Sequence, residues 1–283
     1  MPIRTYEGAA CVVTGAAAGI GRALADALVA RGARVVLADI DGAGLERAAA
    51  ELGAPSRRTD VSRPEELVAL ARFAEDQVGT VDLLCNNAGV GRYAGYDHLT
   101  PRDWQWMMDV NFWGIHHGIT AFLPGMRRTG NGHILNTVSL QGLFVFPASA
   151  AYAASKYAAL ALTEALDLEL REEGGTIGIT AFCPGPVATD IATSGDRRSE
   201  RYGSVQASGS DPIGEATLRM LGSVPLMPAA VAADAALAAV ERGEFWAFSH
   251  PDLLDPVRAR SSAIEAAAAR SLASPNITHP TGR

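Results

Sequence analysis

Short apolar runs and longer amphipathic segments alternate along the chain. Apolar runs of about four to eight residues are typical of buried strands, and segments with apolar residues at three- and four-residue spacing are typical of helices. The predicted strands cover residues 10–14, 34–39, 56–61, 81–86, 133–139, 177–184 and 244–249. The predicted helices cover residues 22–31, 42–52, 101–125, 152–172, 228–242 and 253–273, and one more begins near residue 64.

This alternation predicts a parallel sheet covered by helices on both faces. The chain shows no internal repeat and no linker, so we predict that residues 1–283 form a single doubly wound α/β domain. Residues 188–222 are rich in Ser, Gly, Asp and Arg and have weak periodicity. A stretch of this length without clear elements is typical of a lid, and we predict a substrate-binding lid there. Residues 274–283 are expected to be a frayed tail.

Composition and charge argue against several classes of protein, including nucleic-acid-binding and membrane-spanning proteins. The formal net charge of −7 argues against a general nucleic-acid-binding protein. No apolar run reaches the ~18–20 residues that span a bilayer, and the N-terminus lacks an apolar signal core. The three cysteines lie in separate apolar runs, as expected of reduced, buried thiols. A cytoplasmic protein without membrane or nucleic-acid partners is therefore the default expectation.

No metal site is expected from the histidines. His116 and His117 are neighbours on a predicted helix, where adjacent side chains point apart and cannot share a metal ion.

A glycine-rich turn, G-A-A-A-G-I-G, follows the first predicted strand at residues 15–21. In a doubly wound sheet, ligands bind beyond the carboxyl ends of the strands. Glycines allow the backbone to approach a pyrophosphate closely, and the following helix offers free N–H groups and a positive dipole. The turn therefore indicates a dinucleotide site.

Asp39 ends the second predicted strand, where the adenosine ribose of such a ligand is expected. A carboxylate can accept both ribose hydroxyls but repels a 2′-phosphate. NADP would require a basic residue near the turn or just after this strand, and those places hold Ala18 and Ile40. NAD is therefore predicted in preference to NADP.

Tyr152 and Lys156 are four residues apart on a predicted helix, so their side chains are neighbours. An ammonium ~4 Å from the phenol contributes roughly 4 kcal/mol at an effective dielectric constant of ~20, which would lower the phenol pKa by about 3. Such a pair can act as an acid/base near neutral pH, although the spacing also arises by chance. Ser139, at the end of the preceding strand, and the dinucleotide turn favour the catalytic interpretation.

The chain resembles the classical short-chain dehydrogenase/reductase family over nearly its whole length. The resemblance depends on motifs that occur in the family's order, each on the expected element. These motifs are T-G-x-x-x-G-I-G at 14–21, D-V at 60–61, N-N-A-G at 86–89, Asn111, Ser139, Y-x-x-x-K at 152–156 and P-G-P-V-x-T at 184–189.

The resemblance implies a single-domain Rossmann-like fold with about seven strands. It implies that Tyr152 is the general acid/base, that Lys156 lowers its pKa and holds the nicotinamide ribose, and that Ser139 hydrogen-bonds the substrate oxygen. Asn111 resembles the residue that interrupts its helix to hold a water in a proton relay. In the family the helices that carry Asn111 and Tyr152 often form a subunit interface, so a homotetramer or homodimer is expected.

Together, the motifs and the resemblance define one set of predicted cofactor contacts. They are Gly15, Ala18, Gly19, Ile20, Gly21, Asp39, Asp60, Val61, Asn87, Ala88, Gly89, Tyr152, Lys156, Pro184, Gly185, Val187 and Thr189.

Gln141, Phe144 and Phe146, between Ser139 and Tyr152, are candidates for lining the substrate pocket. Their composition favours a small or medium, fairly apolar secondary alcohol or ketone as the small-molecule substrate. The leading hypothesis is an NAD(H)-dependent oxidoreductase. Two alternatives are an epimerase or dehydratase that retains its NAD, and a non-catalytic NAD-binding regulator.

Overall fold

The computed structural model describes residues 3, 5–203 and 209–272. It contains seven strands: β1 Ala10–Thr14, β2 Arg34–Asp39, β3 Ser56–Arg58, β4 Leu83–Asn86, β5 Gly132–Thr137, β6 Ile177–Cys183 and β7 Trp246–Phe248. All neighbouring strands are parallel, and their order is β3-β2-β1-β4-β5-β6-β7. The order reverses direction between β1 and β4, which creates a crevice at the carboxyl ends of these strands. The predicted doubly wound, Rossmann-like sheet is confirmed.

The helices are α1 Gly19–Ala30, α2 Gly42–Leu52, α3 Pro64–Val78, α4 Pro101–Met108, α5 Gly114–Thr129, α6 Ala150–Glu172, α7 Pro212–Ser223, α8 Ala229–Arg242 and α9 Asp255–Leu272. A π-helical turn, Asp109–Trp113, joins α4 to α5. The segment predicted as one helix over residues 101–125 is therefore two α-helices with a wider turn between them, and it extends to Thr129.

The two faces of the sheet bury different sets of side chains. Val13 packs with Leu24 of α1 and Leu237 of α8, whereas its neighbour Val12 packs on the opposite face with Leu70 of α3. Successive strand residues point to opposite faces, so a strand covered on both sides must be apolar at nearly every position. This constraint explains the short, continuous apolar runs of the sequence.

Two predicted segments differ from the structure. The strand predicted over residues 56–61 ends at Arg58, so Asp60 and Val61 lie in the turn beyond β3. Residues 188–222 were predicted to lack clear elements, and that prediction is wrong where α7 lies. Asp211 caps this helix by accepting the N–H of Gly214, and Pro212 follows it in the first turn. Both are signals of a helix start, but the weak apolar periodicity of the segment concealed them.

The chain divides into two compact units, Met1–Ser249 and His250–Arg283. The first contains the whole sheet and α1–α8. The second contains a 3-10 turn, Pro251–Leu253, and α9, which corresponds to the helix predicted over residues 253–273. The predicted tail at residues 274–283 lies outside the described residues. In the part of the chain that the structure describes, no helix combines the length and apolarity needed to cross a bilayer.

Candidate active site

The glycine turn after β1 forms a cradle that side chains would fill. Gly15 and Gly19 have φ angles of +68° and +57°, a region that favours glycine. A Cβ added to Gly15 would lie 2.8 Å from the Cα of Ala88, and one added to Gly21 would overlap the carbonyl of Gly15. The residue that precedes α1, Ala18, gives the helix no side-chain cap. The N–H groups at this helix end are therefore available to a phosphate.

Asp39 lies beside this turn at the end of β2. One carboxylate oxygen accepts the backbone N–H of Ala17 at 3.0 Å, and the other accepts that of Asp41 at 2.9 Å. These two backbone amides orient the carboxylate beside the glycine turn.

Hydrogen bonds to the ends of β1 and β5 hold the loop after β4 in place. The hydroxyl of Thr14 accepts the N–H groups of Asn87 and Ala88 at 3.0 and 3.1 Å. The Asn87 side chain donates to the Thr14 carbonyl at 3.1 Å and accepts from the Thr137 hydroxyl at 3.1 Å. Thr14 and Thr137 thus fix the N-N-A-G motif at the crevice, and the roles of these two threonines were not identified from the sequence.

The turn beyond β3 is ordered by its own hydrogen bonds. The backbone N–H of Asp60 donates to Glu66 at 2.6 Å, and the Asp60 carboxylate accepts the N–H of Ser62 at 3.0 Å. Val61 is buried against the start of α5, where a Cβ added to Gly114 would lie 2.8 Å from its side chain. Asp60 and Val61, both predicted cofactor contacts, are therefore held at the same edge of the sheet as Asp39.

The loop after β6 returns to the glycine turn. Val187 forms an isolated parallel bridge with Met227, and Gly185 donates its N–H to Ser249 at 3.1 Å. The methyl group of Thr189 would lie 3.1 Å from a Cβ added to Gly19. Most of the predicted cofactor residues are half-buried, at or just after the carboxyl ends of the strands. Those in this class are Gly15, Ala18, Gly19, Ile20, Asp39, Asn87, Ala88, Gly89, Gly185 and Thr189.

Asn111 is fully buried within the π-helical turn. Its side chain accepts the N–H of Val90 at 2.8 Å and donates to the Val90 carbonyl at 2.9 Å and to the Ser155 hydroxyl at 2.9 Å. π-Helical turns are frequent at functional sites. Here the turn joins the loop after β4 to α6, and Ser155 is a member of this network that sequence reasoning missed.

Tyr152, Lys156 and Ser139 are brought together as predicted. The Lys156 Nζ lies 5.8 Å from the centre of the Tyr152 ring and donates to the Thr137 carbonyl at 3.0 Å. The Ser139 hydroxyl lies near the Tyr152 phenol and favours its ionised form. The backbone N–H of Gln141 donates to the Ser139 hydroxyl at 3.1 Å and holds it in place.

Burial dominates the ionisation of this pair. Desolvation raises the pKa of Tyr152 well above its usual value, nearby Tyr93 adds to that effect, and the Ser139 hydroxyl opposes it without cancelling it. Desolvation also lowers the pKa of Lys156 to about 8. The expected fall in the phenol pKa is therefore absent from the protein on its own, because helical spacing indicates proximity but not the loss of solvent around both groups.

The three candidate substrate residues have different surroundings. The buried Gln141 side chain donates to the Tyr93 hydroxyl at 3.1 Å, and the Phe146 ring stacks on Tyr93 with ring centres 5.9 Å apart. The Tyr93 ring lies 5.7 Å from that of Tyr152. Among the described residues, no ring contact joins the half-buried Phe144 to this cluster. Tyr93 was missed, although its place in the loop just after the N-N-A-G motif was a usable signal.

The segment after β6 is tied to the loop that carries Tyr93. The carboxylate of Asp103 on α4 forms an ion pair with Arg92, with 2.8 Å between nitrogen and oxygen, and accepts a hydrogen bond from Arg198. The Ser194 hydroxyl accepts the N–H of Gly91 at 3.0 Å. Asp103 and Arg198 are almost fully buried, so this ion pair is shielded from water. Part of the predicted lid is thus anchored beside Tyr152.

A sequence model described as short chain dehydrogenase matches residues 9–200 of this chain. The "Putative oxidoreductase SadH" of Mycobacterium tuberculosis is 39% identical over 193 residues, which are 66% of this chain and 70% of that protein. The 1-deoxy-11-beta-hydroxypentalenate dehydrogenase of Streptomyces exfoliatus is 40% identical over 190 residues, which are 64% of this chain and 68% of that protein.

A crystal structure of a short chain dehydrogenase/reductase from Burkholderia phymatum in complex with NAD is also similar. It matches 99% of this chain and 100% of that chain with a TM-score of 0.89 and 34% identity. The agreement extends over the whole sheet and its covering helices.

Lys156 is the only lysine in the chain, so its titration can be read directly. We predict that protein carrying ¹³Cε-labelled lysine, measured by NMR without cofactor, gives one lysine signal that titrates near pH 8. The ammonium form then predominates below that pH and the neutral amine above it. The same protein unfolded in urea is the control and should titrate near the usual ~10.4. A folded-state midpoint at or above 10 would contradict the effect of burial.

Proposed function

The chain belongs to the short-chain dehydrogenase family, and on that basis we propose that it is an NAD(H)-dependent oxidoreductase acting on CH–OH donors. Its substrate in this proposal is a small or medium, fairly apolar secondary alcohol or the corresponding ketone. The observation that carries the proposal is the cluster of Tyr152, Ser139 and Lys156 beside the crevice. These groups can exchange a proton with a substrate oxygen next to a cradle suited to a dinucleotide.

The crevice has the features that NAD requires. The uncapped start of α1 and the glycine cradle suit a pyrophosphate, and the oriented carboxylate of Asp39 suits a ribose diol. A bound nicotinamide would supply the hydride acceptor or donor. Asp60, Val61, Asn87 and Gly89 would hold the adenosine side in this proposal. Pro184, Gly185, Val187 and Thr189 would face the nicotinamide side.

The residues of the chain perform the proton transfer. In oxidation, the Tyr152 oxygen takes the hydroxyl proton of the alcohol while the Ser139 hydroxyl donates to the substrate oxygen. In reduction, Tyr152 returns that proton. Lys156 holds its charge close to the phenol because its Nζ is anchored on the Thr137 carbonyl. Asn111 fixes the loop that carries Gly89 against α6, and a water relay behind Lys156 remains part of the proposal.

The raised pKa of Tyr152 supports an order of events. Burial keeps the phenol neutral in the protein alone. Additional positive charge beside it lowers the phenol pKa, and an oxidised nicotinamide carries such a charge. We therefore infer that Tyr152 becomes an effective base only in the complex with oxidised cofactor.

Assembly as a homotetramer or homodimer, and a cytoplasmic location, also remain predictions. Trp113 is 41% exposed on the π-helical turn, with Phe112 and His117 against its ring, so this helix presents an aromatic surface. Trp106, by contrast, is buried within the protein. Sedimentation velocity at micromolar concentration tests the assembly, and a stable monomer would contradict it.

Replacing Tyr152 with Phe should lower kcat by at least about 10²–10⁴-fold, because the proton acceptor is lost. NADH should still bind, as measured by fluorescence titration, because the glycine turn and Asp39 are unchanged. Tyr157→Phe, the same change five residues further along α6, is the matched control and should retain activity. Turnover by Tyr152→Phe at the wild-type rate would refute the assigned role.

Replacing Asp39 with Asn should reduce the preference for NADH over NADPH by removing the charge that repels a 2′-phosphate. Asp39→Arg should shift the preference further toward NADPH. Titration of each variant with both cofactors measures the ratio of the two dissociation constants. Asp26→Asn, on the exposed side of α1, is the control and should leave the ratio unchanged. Tighter binding of NADPH than NADH by the wild type would overturn the role given to Asp39.

A further inference from the structure

Four side chains form a connected group around the proposed reaction centre. Ser139 lies near the Tyr152 phenol, and the Ser139 hydroxyl accepts the backbone N–H of Gln141. The Gln141 side chain donates to the Tyr93 hydroxyl, and the Tyr93 ring contacts the Tyr152 ring. The Tyr93 hydroxyl is thus separated from the catalytic serine by the single residue Gln141.

The hydrogen bonds of Tyr93 and Gln141 are incomplete. The Tyr93 hydroxyl accepts from the Gln141 Nε2 at 3.1 Å, and among the described residues it has no acceptor for its own proton. The Gln141 Oε1 is buried and has no partner in the same part of the chain. Exchanging the two ends of the amide would satisfy Oε1 but leave Nε2 without an acceptor. An unpaired polar group in a buried place is unfavourable, and a ligand oxygen that accepted the Tyr93 proton would complete the hydrogen bonding of that phenol.

The surroundings of the pair are otherwise apolar. The Phe146 ring stacks on Tyr93, with an angle of 19° between the ring planes. A Cβ added to Gly91 would lie 3.4 Å from the Ile191 side chain and 3.6 Å from the Tyr152 ring. Tyr93 is half-buried whereas Gln141 is buried, so Tyr93 is the more exposed residue of the pair. The Tyr93 hydroxyl is therefore a polar group with apolar neighbours, close to Tyr152.

We propose that Tyr93, oriented by Gln141, donates a hydrogen bond to a second oxygen of the substrate. The preferred substrates are then alcohols or ketones that carry a hydroxyl or carbonyl within two carbons of the reacting carbon. This inference rests on the proposed oxidoreductase function and specifies its substrate class. Tyr93 is a specificity-determining residue in this assignment, and Gln141 is a positioning residue.

Matched alcohols with and without the second hydroxyl test this assignment. The pairs are cyclohexanol and 1,2-cyclohexanediol, 2-butanol and 2,3-butanediol, and 1-phenylethanol and 1-phenyl-1,2-ethanediol, each assayed with NAD for kcat/KM. Wild type should prefer the diol in at least one pair. In that pair, Tyr93→Phe should lower kcat/KM for the diol at least about tenfold more than for the monoalcohol. Such discrimination is expected where a site built to bond a hydroxyl loses its partner.

Two further variants distinguish a loss of substrate recognition from a general change in the structure of the loop. Tyr96→Phe makes the same chemical change in the same loop at a tyrosine that is 72% exposed, and it should leave the diol-to-monoalcohol ratio unchanged. Gln141→Leu keeps the Tyr93 hydroxyl but removes its donor, and it should lower the same ratio by a smaller factor. If Tyr93→Phe fails to fold, the ratio measured for Gln141→Leu tests the assignment instead.

Equal losses on both members of every pair would overturn the inference, since they indicate that Tyr93 only ties two loops together. Preference of the wild type for the monoalcohol in every pair would overturn it as well. Wild-type protein that binds NADH but oxidises none of these alcohols, and reduces none of the corresponding ketones, would instead refute the proposed function, and the inference would fall with it.

Discussion

The arrangement of the site depends on the hydrogen bond that the buried ammonium of Lys156 donates to a strand end. Its Nζ is anchored on the carbonyl of Thr137 at the end of β5, and a Cβ added to Gly89 would lie 3.5 Å from it. The ends of β4 and β5 and the helix α6 therefore meet at one atom. The chain contains 23 arginines and this single lysine. An arginine could not replace it, because a guanidinium has a planar, five-donor geometry and does not give up its proton in proteins.

Burial affects Lys156 and Tyr152 in opposite directions, and this sets the chemistry available to the pair. Loss of solvent destabilises the charged form of each group, so it raises the pKa of the phenol and lowers that of the amine. A strongly basic phenolate with a permanently charged lysine is thus not the resting condition of the protein. The site instead holds a neutral phenol whose ionisation responds to any positive charge added beside it. Under the proposed function, acid/base chemistry would thereby be coupled to occupation of the neighbouring crevice.

The sequence predicted those parts of the molecule whose signals are local. The strand ends, the glycine turn and the Tyr152–Lys156 spacing each depend on residues close together in the chain, and a parallel sheet then brings strand ends to one edge. The contacts that were missed join distant residues. Gln141 and Tyr93 are 48 positions apart, and Arg198 and Asp103 are 95 apart. No periodicity or spacing rule links such pairs, and the weak pattern of the segment before α8 also concealed α7.

The residues whose contacts could not be predicted from nearby sequence lie around the region where a substrate would bind. Arg92 and Tyr93 are adjacent, so the carboxylate of Asp103 that holds Arg92 also limits where Tyr93 can lie. The same carboxylate holds Arg198 of the segment after β6, and removing one partner of a buried ion pair is strongly destabilising. The loop that carries Tyr93 and the segment after β6 therefore share one electrostatic anchor, the Asp103 carboxylate. The motifs at the sheet edge are local in the sequence, whereas the contacts between distant loops are not, which is why the family is more accessible from sequence than the substrate.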